Sequence, residues 1–356
     1  MDFLFSNLPP IKTRHTTFAD AFYSLIPEAT QLDIVVGYIT ADSLAELKQT
    51  ITFNNNLERL NLIIGMHRWD KFTKLEYNAA ISLNEYLTSE NRGEVRLVIP
   101  FRFHGKLYLN SNGKGPFAGI IGSNNLSSII ASRTRIYEAS SLFRESEYAI
   151  QMKEFIEQLS ADATENINNI NWDRYDFKEQ NKLLEDHEDV EQVPSEELAD
   201  CLSKLTPISF EIPLVKNGKV PKNSNLNAFF GKGRENKTSG FVQPRHWYEV
   251  ELIVPSSITQ QAEYPQKNSQ TAVFDVITDD GWKFSCKVSG DNSKNFRSYD
   301  DLKILGRWVK GRLENAGVLE VGQHVTQDTF TKYGRDTFTL TKTTTPNLWF
   351  IDFGVY

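Results

Sequence analysis

Cysteine is almost missing. Cys201 and Cys286 are the only two in 356 residues, too few for a disulfide framework or a zinc cluster, which points to a reducing, cytoplasmic setting. No run of about eighteen apolar residues occurs, so no membrane span and no membrane partner are expected. The apolar part of MDFLFSNLPPIKTRH is too short and wrongly flanked for a signal peptide. Acidic residues in the paired spacing of a metal-dependent nuclease are not found around Glu138, so no metal site and no cofactor is expected. The apolar stretch 117–121 is followed by neither GxGxxG nor GxxxxGK, which excludes a Rossmann or P-loop nucleotide site there.

Charge is unevenly spread. The net charge is −7, yet residues 201–356 carry 20 Lys and Arg against 16 Asp and Glu, leaving 19 against 30 for the first 200. A mildly basic half joined to an acidic one fits a nucleic-acid reader attached to a partner domain. Between Glu185 and Asp200 stand eight acidic residues and no Lys or Arg. Such a block reads as a solvated linker, or as carboxylates that stand in for phosphates in a basic cleft.

Helical spacing at 15–29, 42–52, 71–88 and 145–160 alternates with apolar strand runs at 32–40, 59–66 and 94–100. Asp42 or Ser43 would cap the second helix. Three further strands, 104–109, 117–122 and 137–143, follow without helices between them, so a mixed α/β sheet is expected. From 206 onward short strand runs dominate: PISFEIPLV, HWYEVELIVP, AVFDVITDDGWKFSCKVSG, HVTQDTFTKYGRDTFTLTKT and NLWFIDF. Turn signals at Asn217-Gly218, Asp279-Asp280-Gly281 and Tyr333-Gly334 separate them, with one helix at 299–316. That pattern predicts a small β-barrel.

The chemistry gathers in FRFHGKLYLNSNGKGPFAGIIGSNNLSSIIASRTRIYEASS. His104 and Lys106, two apart on an expected strand, would share a face. Gly122-Ser123-Asn124-Asn125 makes a polar turn, and Glu138 lies on the next expected strand. A phosphodiester needs its oxygens neutralised, a nucleophile in line and a proton for the leaving oxygen. Histidine, lysine and amide side chains can supply all three.

The ordered set His104, Lys106, Ser123, Asn125 and Glu138 resembles the HxK, GSxN and Glu signature of the phospholipase D superfamily of phosphodiesterases. Asn110 and Ser111 stand where that family places an Asp, and the interval from Asn125 to Glu138 is slightly long. The signature occurs once, as in the metal-independent restriction endonucleases of the BfiI and NgoAVII type, which carry a B3-like DNA-binding domain after it. The resemblance implies an α/β mixed-sheet sandwich over 1–180, an acidic linker at 181–205, and a small β-barrel of B3-like type over 206–356. It also implies attack by His104 to give a phosphohistidine, phosphate binding by Lys106 and Asn125 with Ser123 in support, and Glu138 fixing the tautomer of His104. Such chemistry uses two histidines. The other five, His15, His67, His187, His246 and His324, lie in no second HxK. A twofold homodimer would join two copies at one centre.

The B3 resemblance places two arms around double-stranded DNA. They map onto 232–245, with Lys232, Arg234, Glu235, Lys237 and Arg245, and onto 291–298, with Asn292, Lys294, Asn295 and Arg297. Arg and Lys read guanine, and Asn reads adenine, through paired hydrogen bonds. A sequence-specific restriction endonuclease is the expected function. A lipid phosphodiesterase of the same superfamily and a non-catalytic DNA-binding protein are the alternatives, and the need for a helper ATPase subunit stays open.

Overall fold

Apolar runs with β-branched residues become strands, and periodic stretches with a hydroxyl at the right place become helices. The computed structural model describes every residue except 131–135, 174, 180–183, 186 and 356. The chain divides into two units. One is Met1–Gln180 with Gly233–Pro244; the other is Asn181–Lys232 with Arg245–Tyr356.

The first unit runs β1 (Asp2–Phe5), α1 (Phe18–Leu25), β2 (Gln31–Val36), α2 (Ala41–Phe53), β3 (Arg59–Ile64), α3 (His67–Asp70), α4 (Lys74–Ser89), β4 (Gly93–Val98), β5 (Leu107–Asn112), β6 (Gly115–Gly122), β7 (Ala139–Phe143), α5 (Ser146–Ala163) and β8 (Thr164–Asn166). Its sheet has the order β1-β7-β6-β5-β2-β3-β4-β8. β2, β3 and β4 are parallel, and β5 runs against β2, so the sheet is mixed as expected. Alternation along the strands sends Val35, Ile63, Leu107 and Leu109 to one face, where Ala149, Met152, Ile156 and Leu159 of α5 cover them. Tyr108, one step out of phase, meets Phe18 and Phe22 of α1 on the other face. Each such ring, fully buried, contributes about 1.5–3 kcal/mol.

Helix starts differ from the sequence expectation. Thr40, not Asp42 or Ser43, caps α2; Ser43 closes the box from inside the first turn. Thr73 and Glu76 form the same box at α4, after Lys71 breaks the chain with a φ of 65°. The helix expected at 71–88 therefore begins at Lys74, and the short α3 precedes it.

The second unit runs β9 (Glu191–Gln192), α6 (Ser195–Ser203), β10 (Leu205–Pro213), then the two short strands β11 (Arg234–Glu235) and β12 (Val242–Gln243), which belong to the first unit. It continues with β13 (Leu252–Ile253), α7 (Ser256–Thr259), β14 (Val273–Thr278), β15 (Trp282–Ser289), β16 (Asn295–Ser298), α8 (Lys303–Asn315), α9 (Gln327–Tyr333), β17 (Thr337–Thr343) and β18 (Leu348–Asp352). The sheet order is β10-β17-β18-β14-β15-β16-β13, with β9 against β15 off this path. β10 and β13 end the order, so the barrel stays open. Its floor holds a fully buried Lys310, which donates to the Trp247 carbonyl at 2.6 Å with its ammonium 3.7 Å from the indole centroid.

Two expectations are corrected here. The run 324–343 is not all strand: Thr326 caps α9, and Gly334, with a φ of 95°, ends that helix instead of turning a hairpin. The acidic stretch expected as a linker is folded where it is described. Glu191 pairs with Lys283 across β9 and β15, and Val193 and Cys201 enter a core cluster with Ile277 and Phe350. Glu197 bonds Lys283 at 2.9 Å. Residues 181–183 and 186 of that stretch lie outside the described residues.

Candidate active site

Strand register brings the chemistry to one edge of the first unit's sheet. Val35 near the end of β2 faces Leu107 at the start of β5. Leu107 in turn faces Ile121 near the end of β6, and Gly122 faces Ser140 at the start of β7. The segments beyond these strand ends therefore meet: Gly37-Tyr38 after β2, Gly65-Met66-His67 after β3, 99–106 before β5, 123–125 after β6, and Glu138 before β7. This is also the carboxyl edge of the parallel strands, where open α/β sheets bind ligands. His104 and Lys106 are not on a strand, as the sequence suggested, but in the segment that leads into β5.

Two glycines make the convergence possible. A Cβ on Gly65 would lie 2.0 Å from the Phe103 carbonyl oxygen, and the Phe103 amide donates to the Gly65 carbonyl at 3.2 Å. The loop that carries His104 thus lies directly on the end of β3. A Cβ on Gly37 would come within 3.3 Å of His104 Cδ2, so its absence leaves the imidazole its place.

His104 is exposed and Lys106 is buried. The Lys106 Nζ donates to the His104 carbonyl at 2.7 Å and stands 3.2 Å from both ring nitrogens. Burial lowers the Lys106 pKa from the ordinary lysine value, and the Glu138 carboxylate partly offsets this. Among the described residues Glu138 makes no hydrogen bond to the His104 ring. Its backbone is pinned by Ser6, whose Oγ accepts from the Glu138 amide at 2.8 Å.

Ser123 extends the β6–β7 pairing. Its Oγ accepts from the Ala139 amide at 3.0 Å, and its own amide donates to the Ala139 carbonyl at 3.0 Å. Asn125 Oδ1 accepts from the Tyr38 amide at 3.1 Å. This fixes the amide plane, and the Nδ2 group makes no hydrogen bond with a described residue. Asn124 is held by Ser140 Oγ at 2.5 Å. At Asn110 and Ser111, where an Asp would stand in the resembled family, the side chains are buried in β5 without hydrogen-bond partners among the described residues.

Sequence reading missed Tyr38 and Asp70. The Tyr38 ring meets the His104 ring edge-on at 5.7 Å and the His67 ring at 5.6 Å. Its hydroxyl donates to Asp70 Oδ2 at 2.5 Å, and that carboxylate raises the phenol pKa. The GYIT that follows an apolar strand was the available signal, since residues just past parallel strand ends face the crevice. His67 is buried against Phe72, with Nε2 3.7 Å from Glu76. Among the described residues no three His, Cys, Asp or Glu side chains stand together as metal donors.

The candidate DNA-reading residues belong to both units: Arg234, Glu235 and Lys237 to the first, and Lys232, Arg245, Asn292, Lys294, Asn295 and Arg297 to the second. Arg234 and Glu235 form β11, paired with Gln243 and Val242, and Lys237 is exposed at the hairpin tip. Lys232, just outside the hairpin, is also exposed. Arg245 is tied to buried Glu249. In the second unit Asn292 is exposed with a φ of 54°, and Lys294 lies 3.8 Å from Asp291. Asn295 and Arg297 are on β16 rather than in a loop. Arg297 faces Lys287 across the pair β15–β16 and lies 3.7 Å from Glu251. Lys287, whose ammonium is 5.5 Å from the Tyr299 ring centroid, was missed. The alternating WKFSCKVS, with lysines on the outward positions, could have shown it.

Comparison with known proteins gives two domain matches. Residues 16–172 match the NgoFVII restriction endonuclease N-terminal PLD domain, and residues 200–344 match the NgoFVII C-terminal B3-like DNA-binding domain. No curated protein matches the chain. Among solved structures, the phospholipase D family member Nuc from Salmonella typhimurium is 14% identical, covers 46% of this chain and 95% of its own, with a TM-score of 0.30. Phosphatidylserine synthase from Haemophilus influenzae is 15% identical and covers 46% of this chain and 39% of its own, with a TM-score of 0.34. The two domain matches, in the same order and from one family, span most of the 356 residues. The chain belongs to the NgoFVII family of restriction endonucleases: a DNA-cleaving phosphodiesterase with an N-terminal phospholipase D-like domain and a C-terminal B3-like DNA-binding domain.

Proposed function

We propose that the chain cuts DNA through a covalent phosphohistidine, without a metal ion, at one centre shared by two copies of the chain. The observation that carries this is the single sheet edge on which exposed His104, buried Lys106, Asn125 and Glu138 converge. A His104 nitrogen attacks phosphorus, the P–O bond to the leaving oxygen breaks, and a second imidazole delivers the proton to that oxygen. The second imidazole then takes a proton from water. The water oxygen attacks phosphorus, and the P–N bond breaks to restore His104. The Lys106 ammonium and the Asn125 Nδ2 group bind the non-bridging oxygens throughout, while Ser123 holds the turn that carries Asn125.

The second imidazole is His104 of the other copy. His67, on the same edge, is buried and packed on Phe72, and its ring cannot touch a phosphate from there. Residues 1–180 cut and residues 206–356 read, so the cut falls beside or away from the recognised sequence. Asn292, Lys294, Asn295 and Arg297, with Lys287, contact the DNA in the reading unit. Lys232, Arg234, Lys237 and Arg245 contact phosphates, with Glu235 supporting the hairpin of Arg234 and Lys237. A helper ATPase subunit would act between reading and cutting, and the cytoplasm is the setting.

Cleavage of a long mixed-sequence DNA in excess EDTA tests the chemistry. The wild type gives discrete fragments and His104→Ala gives none. Activity that needs Mg²⁺ and survives His104→Ala overturns the assignment.

A further inference from the structure

Beside the His104 centre lies a patch that the cleavage chemistry does not use. Trp69 is 45% exposed, as is Phe101, and Arg102 stands next to Phe101 two residues before His104. The Arg102 guanidinium lies 5.6 Å from the Trp69 ring centroid. Its side chain is 60% exposed, and its one ion pair among the described residues, to Asp70 at 3.6 Å, is long. The other Asp70 oxygen accepts the Tyr38 hydroxyl at 2.5 Å, and Tyr38 meets His104 edge-on. Patch and nucleophile are therefore fixed to one another through a single carboxylate and one ring.

A structural role does not account for this arrangement. An exposed Arg–Asp pair at that distance adds little to stability. Large aromatics left in water next to a cation give up burial that a purely structural residue would keep. The chemistry offered is one exposed guanidinium, which matches a phosphate, together with flat apolar faces that accept a sugar or a base. A single strand running through the His104 centre presents both, one nucleotide from the bond that breaks. Arg102, at most about 7 Å along the chain from His104, has the reach for it.

We propose that Trp69, Phe101 and Arg102 form a positioning surface for the DNA strand next to the scissile phosphate, with Arg102 on the neighbouring phosphate and Trp69 against the adjoining nucleoside. Asp70 is a positioning residue here. It splits its two oxygens between Arg102 and Tyr38, so strand binding at the patch and the placing of His104 are linked. The surface rests on His104 as the reacting centre.

The test uses the full-length protein with Arg102→Ala, Arg102→Lys and Trp69→Ala. A long mixed-sequence DNA reports single-turnover cleavage, and a short duplex reports binding over a salt series. Both alanine variants should cleave about 10- to 100-fold more slowly with saturating protein, and Arg102→Ala should reduce the slope of log K against log salt by about one. Arg102→Lys should recover the slope and part of the rate. Sedimentation mass should stay that of the wild type. Wild-type rates and slopes in the alanine variants overturn the proposal, and so does a changed mass, which would make the patch a contact between copies. His104→Ala separates the two claims: it abolishes cleavage while keeping the wild-type salt slope, and if it still cleaves, the reacting centre itself has been misassigned.

Discussion

Lys106 is placed between two demands. In the proposed reaction it must be an ammonium to hold a phosphate, and it is buried enough that the charged form is disfavoured. A lysine whose pKa is lowered on folding carries its charge below that value and loses it as pH rises through it. The alkaline limb of cleavage should therefore fall at a lower pH than a lysine in water would give. A single-turnover pH–rate profile from about pH 7 to about pH 11 reads this directly. Lys106→Arg should be slower throughout yet keep its activity to higher pH, because a guanidinium does not titrate there. If wild type and Lys106→Arg lose activity at the same pH, Lys106 is not the titrating group. At this scale the sequence was informative for residue types and less so for their partners. His104, Lys106 and Asn125 were singled out from their order in the chain, and the register brings them to one sheet edge. Tyr38, Asp70 and Lys287 were not singled out, because their contacts come from neighbours that only the folded chain supplies. Glu138 was expected to fix the tautomer of His104, and among the described residues it makes no hydrogen bond to that ring.

Among the elements, long amphipathic patterns were read well and short irregular ones were not. The parallel strands β2, β3 and β4 are continuous apolar runs, and such runs have few alternative fates. The stretch 232–245, expected as an arm of the reading domain, lies within the B3-like match. In the structure its residues 233–244 are a hairpin of the first unit. Asn54, the residue after α2, donates Nδ2 to the Val242 carbonyl at 3.0 Å and accepts from the Val242 amide at 2.9 Å, and Phe241 packs on Tyr23 at 5.4 Å. A side-chain amide that satisfies both backbone groups of one residue acts as a strand partner would, and no local pattern announces a contact 188 residues away. Asn54→Ala should leave that buried pair unsatisfied at a cost of about 1–3 kcal/mol. It should also expose 236–240 to proteolysis earlier than in the wild type. Equal digestion rates would mean that the hairpin is held by something other than Asn54. The misread of 324–343 has a similar cause: threonine and aromatic residues suggest strand, yet the Thr326 cap and the Gly334 stop decide for helix.

On the scale of the whole molecule, the number of histidines limits what one chain can do. One chain supplies one exposed HxK histidine at the sheet edge, and the proposed chemistry uses two imidazoles, one as nucleophile and one as acid. Two copies about a twofold axis meet that need without any further residue. Domain order was legible because each half has its own pattern, α/β alternation and then short strands with turns. The acidic stretch between them was read as linker, since charge density resembles solvated chain. Its few apolar residues, Val193 and Cys201, are what draw it onto the second unit. The shared centre can be tested by mixing. Wild-type and His104→Ala chains are unfolded together, refolded at set ratios to randomise pairing, and assayed for cleavage in EDTA. A shared centre predicts that activity follows the square of the wild-type fraction, so an equal mixture keeps about a quarter of the wild-type rate. A linear dependence, with half the rate at an equal mixture, would show that each chain cuts alone and would contradict the account.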